Sequence, residues 1–110
     1  MTVSIDTITE RLVEVDEKVQ KAVAALESDG GASPVLKAVV EAFQREARHT
    51  LEDVEEAEAA PIREHIVELE QAGDSAKCAA EADPGIQPET RQLVVDAHQA
   101  ISSLKAETKE

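Results

Sequence analysis

The sequence predicts an all-α protein, an antiparallel up-down four-helix bundle forming one domain over residues 1–110. Three observations predict it. Four segments carry apolar or small residues at alternating steps of three and four, the spacing that draws one stripe down a helix. Turn signals separate them at Asp29-Gly30-Gly31, Ala59-Ala60-Pro61 and Asp83-Pro84-Gly85. No stretch reads as a strand, since Val39-Val40 and Val94-Val95 are short and embedded in helical pattern.

The first segment, about residues 4–28, carries Ile5, Ile8, Leu12, Val15, Val19, Ala22 and Leu26, an unbroken heptad seam. Thr7 with Glu10 has capping-box spacing, and Asp6 competes for the N-cap. Glu14–Lys18 and Glu17–Lys21 are helix pairs worth about 0.3–0.5 kcal/mol each. The adjacent Gly30 and Gly31 end the helix.

The second segment, about 34–58, organises the chain. Ser33 caps it, and Pro34 suits a first turn, where a missing N–H costs nothing. Its stripe is Leu36, Val40, Phe43, Ala47, Thr50, Val54 and Ala57, and Phe43 is the only aromatic residue in the chain. Glu52, Asp53, Glu55, Glu56 and Glu58 crowd its end, where negative charge opposes the helix dipole.

The joint at Ala59-Ala60-Pro61 admits two readings. Proline inside a helix clashes with the carbonyl four residues back, which favours a turn with Pro61 opening a third helix. The absence of Gly, Asn or Ser there favours one long helix kinked at Pro61. That form would leave two hairpins sharing a rod, and a homodimer would complete each bundle. A turn or a sharp kink is the preferred reading.

The third segment, about 61–82, carries Ile62, Ile66, Leu69, Gly73, Ala76 and Ala80. Its second half is nearly all small on the stripe, and Gly73 inside a helix costs about 1 kcal/mol. That half is expected to be the least stable helical stretch. Asp83-Pro84-Gly85 is a turn. Pro88 starts the last segment, about 88–106, with Thr90, Leu93 and Val94, Ala97, Ile101 and Leu104 on its stripe. Short connections make neighbouring helices antiparallel. Read along the chain, no internal repeat stands out.

Composition narrows the function classes. Hydrophobic residues make up 42% of the chain, enough to fold despite a net charge of -13. With 24 Asp and Glu against 11 Lys and Arg, the chain lacks the clustered cations that phosphate contacts need. Nucleic acid and anionic membrane surfaces are excluded as partners on that ground. No stretch is long and apolar enough to span a bilayer, and Met1-Thr2-Val3-Ser4 lacks the pattern of a signal peptide. A cytoplasmic location is the expectation. A single cysteine, Cys78, excludes an internal disulfide framework; among Ala76, Ala79 and Ala80 it is expected to be a small buried or half-buried thiol.

Much Ala and Val, few Lys, few aromatics and dense carboxylates resemble the composition of proteins from salt-accumulating halophiles. In such a solvent, screening removes most of the repulsion between carboxylates. The core of small side chains buries little area per residue, which makes a homodimer or a protein partner an expectation.

Candidate chemistry centres on the histidines. Glu46-x-x-His49 has the spacing of bundle di-metal sites, but such sites use two copies, and here there is one. His65, with Glu64 and Glu68 near it, is a second metal-ligand candidate. His98 follows Asp96 by two residues, which does not place both on one face. On an acid-rich chain, three histidines are ordinary surface residues unless ligands converge from different helices.

Ala47-Arg48-His49-Thr50-Leu51 resembles the histidine segment of histidine-phosphotransfer domains, four-helix bundles with one exposed phosphorylatable histidine. The resemblance implies a phosphoryl-accepting role for His49. In that family the segment typically continues into Lys and Gly. Here Glu52 and Asp53 stand at those positions, and two carboxylates would repel a phosphohistidine.

No catalytic constellation and no cofactor-binding motif is present in the sequence. The function expected is therefore non-enzymatic: an acidic helical bundle engaged in self-association or protein interaction and adapted to high salt. The alternative is a metal-binding or phosphotransfer-like bundle acting through His49, with Glu46 and His65 as further candidate ligands.

Overall fold

The computed structural model describes residues 5–56 and 62–108. It contains four α-helices: α1 (Ile5–Ser28), α2 (Pro34–Glu56), α3 (Ile62–Ala82) and α4 (Pro88–Glu107). No strand occurs among the described residues. Each helix packs against two others in the cyclic order α1, α2, α3, α4 and back to α1. The result is a rod of 41 × 23 × 17 Å, close to one helix in length and two in width.

The five residues between α2 and α3 span at most about 18 Å, whereas a 21-residue helix is about 31 Å long. Neighbours that pack along their lengths with so short a connection must run antiparallel. α2 and α3 pack side by side, which one continuous rod kinked at Pro61 could not do. That alternative is corrected. The joint Ala59-Ala60-Pro61 itself lies outside the described residues.

The stripes become the core. Leu12, Val15, Val19, Ala22 and Leu26 of α1 meet Leu36, Val40, Phe43 and Ala47 of α2, Ile66, Leu69, Ala76 and Ala80 of α3, and Val94, Ala97, Ile101 and Leu104 of α4, all essentially excluded from solvent. Thr50, Gly73 and Thr90 are buried at their stripe positions as well. Leu93 is only partly buried, so Val94 holds the stripe there. Cys78 is exposed, against expectation. The buried positions flanking it are Ala76 and Ala80, and a residue midway between two stripe positions points outward.

Gly73 has a packing role that helix propensity alone does not count. A Cβ there would lie 3.1 Å from Phe43 Cζ and 3.2 Å from Ile101 Cγ2. The missing side chain is what lets the one aromatic ring of the chain seat between helices.

Local chemistry explains the helix ends. Ser33 caps α2 as predicted: Leu36 N–H donates to Ser33 Oγ at 3.1 Å. α4 begins with Pro88 at its first position, after Gln87, whose side chain makes no capping bond. α1 is already helical at Ile5, ahead of both Asp6 and Thr7, so neither precedes the helix as its cap. No glycine has a positive φ among the described residues, so neither Gly30 nor Gly31 acts as a left-handed C-cap.

Gly31 serves a different need. A Cβ on Gly31 would collide with the Gly85 carbonyl, and one on Gly85 with the Gly31 carbonyl, whereas Gly30 has open space. The α1–α2 and α3–α4 loops thus press backbone to backbone at one end of the rod. Gly31→Ala should lower stability by about 1–3 kcal/mol because backbone must shift. Gly30→Ala should stay within about 0.5 kcal/mol of the parent. Urea unfolding of the two variants checks the contrast.

The meeting loops expose a repeat of 54 residues. Asp29-x-Gly31-x-x-Pro34 and Asp83-x-Gly85-x-x-Pro88 coincide at that offset. So do Glu10 and Glu64, Val13 and Val67, Glu14 and Glu68, Ala22 and Ala76, and Val40 and Val94. Buried Leu12, Val15, Val19, Ala22 and Leu26 map onto buried Ile66, Leu69, Gly73, Ala76 and Ala80. The contacts repeat too. The Arg11–Glu107 ion pair (2.8 Å) between α1 and α4 maps onto His65–Asp53 (3.2 Å) between α3 and α2. The bundle is built from two equivalent helical hairpins related by an approximate two-fold along its axis.

Candidate functional site

Polar side chains converge at three places in the described structure. The first is the loop end. Asp29 Oδ2 accepts the Gln87 N–H at 2.9 Å and its Oδ1 accepts the Gly31 N–H at 3.0 Å. Asp83 mirrors it, with Oδ2 accepting the Ser33 N–H at 3.0 Å and Oδ1 accepting the Gly85 N–H at 2.8 Å. Each carboxylate therefore staples its own loop and the other loop. These backbone bonds, led by Gln87 for Asp29 and by Ser33 for Asp83, hold both carboxyls below the usual carboxylate range. Arg91 completes this end by donating to the Ala80 and Asp83 carbonyls. Each of the four carboxylate oxygens accepts a backbone N–H from one of the two loops, so the network ties the loops together.

The second is near the end of α2. His49 is exposed, and its Nε2 lies 3.4 Å from Asp53 Oδ2, one turn onward. His65, in the first turn of α3, brings its Nε2 to 3.2 Å from the same oxygen. The two rings meet edge to face, 6.1 Å between centroids. His49 and His65 are thus brought together as candidates, but Asp53 joins them and Glu46 does not. The helical step of four, not the Glu-x-x-His step of three, sets that pairing.

The third site was not legible in the sequence. His98 on α4 lies between two carboxylates of α3. Its Nε2 contacts Asp74 Oδ1 closely and lies 3.6 Å from Glu70 Oε2. Ser102 Oγ, one turn along α4, is 3.2 Å from the same nitrogen and donates to Glu70 Oε2 at 3.3 Å. The ligand atoms of Glu70, Asp74 and His98 all lie within 4.8 Å of one another. His98 and Glu70 are largely covered, at 13% side-chain exposure each, and Asp74 at 53% faces solvent. Lys105 Nζ pairs with the outer oxygen of Glu70, Oε1, at 3.3 Å.

The cluster is built by register. A tight α3–α4 connection centred near Gly85 places residue 74 opposite 98 and 70 opposite 102. Pairs one turn apart on both helices then face each other. Pairing residues across the predicted turn would have found it; spacing along either helix alone could not.

Comparison with protein-family models, with curated proteins and with solved structures found no match.

Proposed function

We propose that this chain is a non-enzymatic, acidic helical module that acts by association and is adapted to a concentrated salt solution. One observation carries the reading. The core closes within a single chain, while the outer surface is densely carboxylate and nearly bare of large apolar groups: among the described residues, only Val13 and Val35 are exposed large hydrophobics. A surface of this kind does not drive apolar docking. Association, with a second copy or another protein, is then polar and governed by ionic strength, because repulsion within a net charge of -13 opposes contact at low salt. A dimer of this protein is an assembly of finished bundles.

Helix ends support the same reading. α1, α2 and α3 have no basic residue in their last turns, and α2 ends in acidic residues that oppose its dipole. Each such charge costs about 0.3–1 kcal/mol at low ionic strength, and salt screens it. Helicity by circular dichroism and urea midpoint should both rise markedly from low to molar KCl. Sedimentation in the same series should show self-association increasing with salt. Full folding at low salt with a flat response would reduce the acidity to plain solubility.

The phosphotransfer reading through His49 has an exposed imidazole in its favour. Against it, the Asp53 carboxylate lies 3.4 Å from Nε2, where it would repel a phosphoryl group. For a metal-binding reading, His49, His65 and Asp53 offer donors from two helices, and Glu70, Asp74 and His98 form the group whose ligand atoms all lie within 4.8 Å of one another.

A further inference from the structure

We infer that Glu70, Asp74 and His98, with Ser102 beside them, form a binding site for one divalent transition ion of the zinc class. The inference goes beyond the reading above, which stands or falls on salt and association.

The geometry is the first support. Zinc ligands sit about 2.0–2.2 Å from the metal, so neighbouring ligand atoms of a tetrahedron are about 3.4 Å apart. Glu70 Oε2 lies 3.6 Å from His98 Nε2, and Ser102 Oγ lies 3.2 Å from that nitrogen and 3.3 Å from Glu70 Oε2. Asp74 Oδ1 closes the set from the solvent side and is the ligand that must move outward to admit an ion. The donors come from two helices at i and i+4 on each, held by a packed hairpin and not by mobile loops. An imidazole nitrogen among oxygens selects zinc-class ions over magnesium or calcium, which prefer oxygen alone.

The charge beside the ring is the second support. Two carboxylates of α3, Asp74 and Glu70, face one imidazole nitrogen. Ser102 donates to one of them, and Lys105 meets Glu70 from its other oxygen, so the inner side of the cluster holds carboxylate charge with no cationic side chain among the described residues.

The other hairpin supplies an internal control. At the 54-residue offset, Glu70, Asp74, His98 and Ser102 correspond to Asp16, Gln20, Gln44 and Arg48. In that hairpin Gln20 Nε2 donates to Asp16 Oδ2 at 2.7 Å, and Arg48 Nε lies 3.5 Å from Asp16 Oδ1. The lone carboxylate there has a guanidinium within ion-pair range, although no hydrogen bond among the described residues reaches its buried Oδ1. In the α3–α4 hairpin an amide has become a carboxylate, the guanidinium has become a hydroxyl, and a glutamine has become an imidazole. The α3–α4 group sets two carboxylates beside an imidazole, whereas its mate balances one carboxylate with one guanidinium, and Lys105 meets the α3–α4 group only at the far oxygen of Glu70. Every one of these differences favours an external cation.

The test is zinc titration of metal-free full-length protein by calorimetry, in molar KCl with excess magnesium. One equivalent of zinc should bind, and the His98 ring resonances should shift. His98→Gln and Asp74→Asn should each weaken binding by at least about 10-fold, the low end of the cost of losing even an outer-shell partner. His49→Gln and His65→Gln should leave it unchanged. Asp74 is half exposed, so its variant decides the matter if the His98 variant proves unfolded by circular dichroism. Absence of stoichiometric binding, displacement by magnesium, or loss of binding through His49 or His65 in place of His98 would overturn the inference.

Discussion

Replacing Phe43 by Ala is expected to destabilise the bundle by about 3–5 kcal/mol, the range for a fully buried aromatic truncated in a core that cannot collapse. That is a large share of the stability of a small domain, about 5–15 kcal/mol. Phe43 is completely buried and is the largest side chain in a core otherwise of Ala, Val, Leu and Ile. Its ring occupies the space that Gly73 leaves on α3, so its removal opens a void bordered by backbone. The mate of this pair in the other hairpin arrangement is Ala97 with Val19, both buried. The bundle thus holds one layer with large on α2 and nothing on α3, and an equivalent layer with small on α4 and medium on α1. Phe43→Ala combined with Gly73→Val copies the second arrangement and should recover part of the loss. Gly73→Val alone should destabilise by about 1–3 kcal/mol through overpacking against the ring. Urea denaturation of the four proteins closes the double-mutant cycle, and additive losses would refute the large-against-none pairing.

Loss of the loop staples should have the second large effect, and pH reveals it. Asp29→Asn and Asp83→Asn each keep the shape but offer one acceptor oxygen where the carboxylate uses two. The amide NH2 then faces a backbone N–H. In the double variant, N–H groups of Gly31, Ser33, Gly85 and Gln87 compete for half the acceptors. Both carboxyls have folded pKa values below the ordinary one. Their contribution is therefore fully present above the unfolded carboxylate value, about 3.9, and is lost as pH falls through the folded values. The double variant should unfold at clearly lower urea than the parent at neutral pH. The gap should close only in acid, below about pH 4. A gap independent of pH would mean that the carboxylate charge is not what the loops use.

The helical reading was legible because stripe periodicity depends only on neighbours three and four residues away. Leu12, Val40, Leu69 and Ile101 announce their buried faces without reference to any other helix. Ser33 and Pro34 announced the start of α2 in the same local way. The packing role of Gly73 was not legible, because propensity counts a helix in isolation and the Phe43 ring lies on a different helix. Cys78 misled because alanine-rich surroundings in sequence are not surroundings in space.

The histidines divide along the same line. His49 and Asp53 share one helix, so the step of four could relate them from sequence. His98, Asp74 and Glu70 belong to two helices, and only the α3–α4 register sets them against each other.

By itself, the sequence determined four amphipathic rods and an acidic coat built around a core of small side chains, because each of these follows from local spacing and composition. Tertiary structure alone decided that the chain closes its own core, that two equivalent hairpins lock through Asp29 and Asp83, and that His98 meets two carboxylates. Those facts depend on contacts between residues some 24 to 58 positions apart, and no short-range pattern encodes a distance across a bundle.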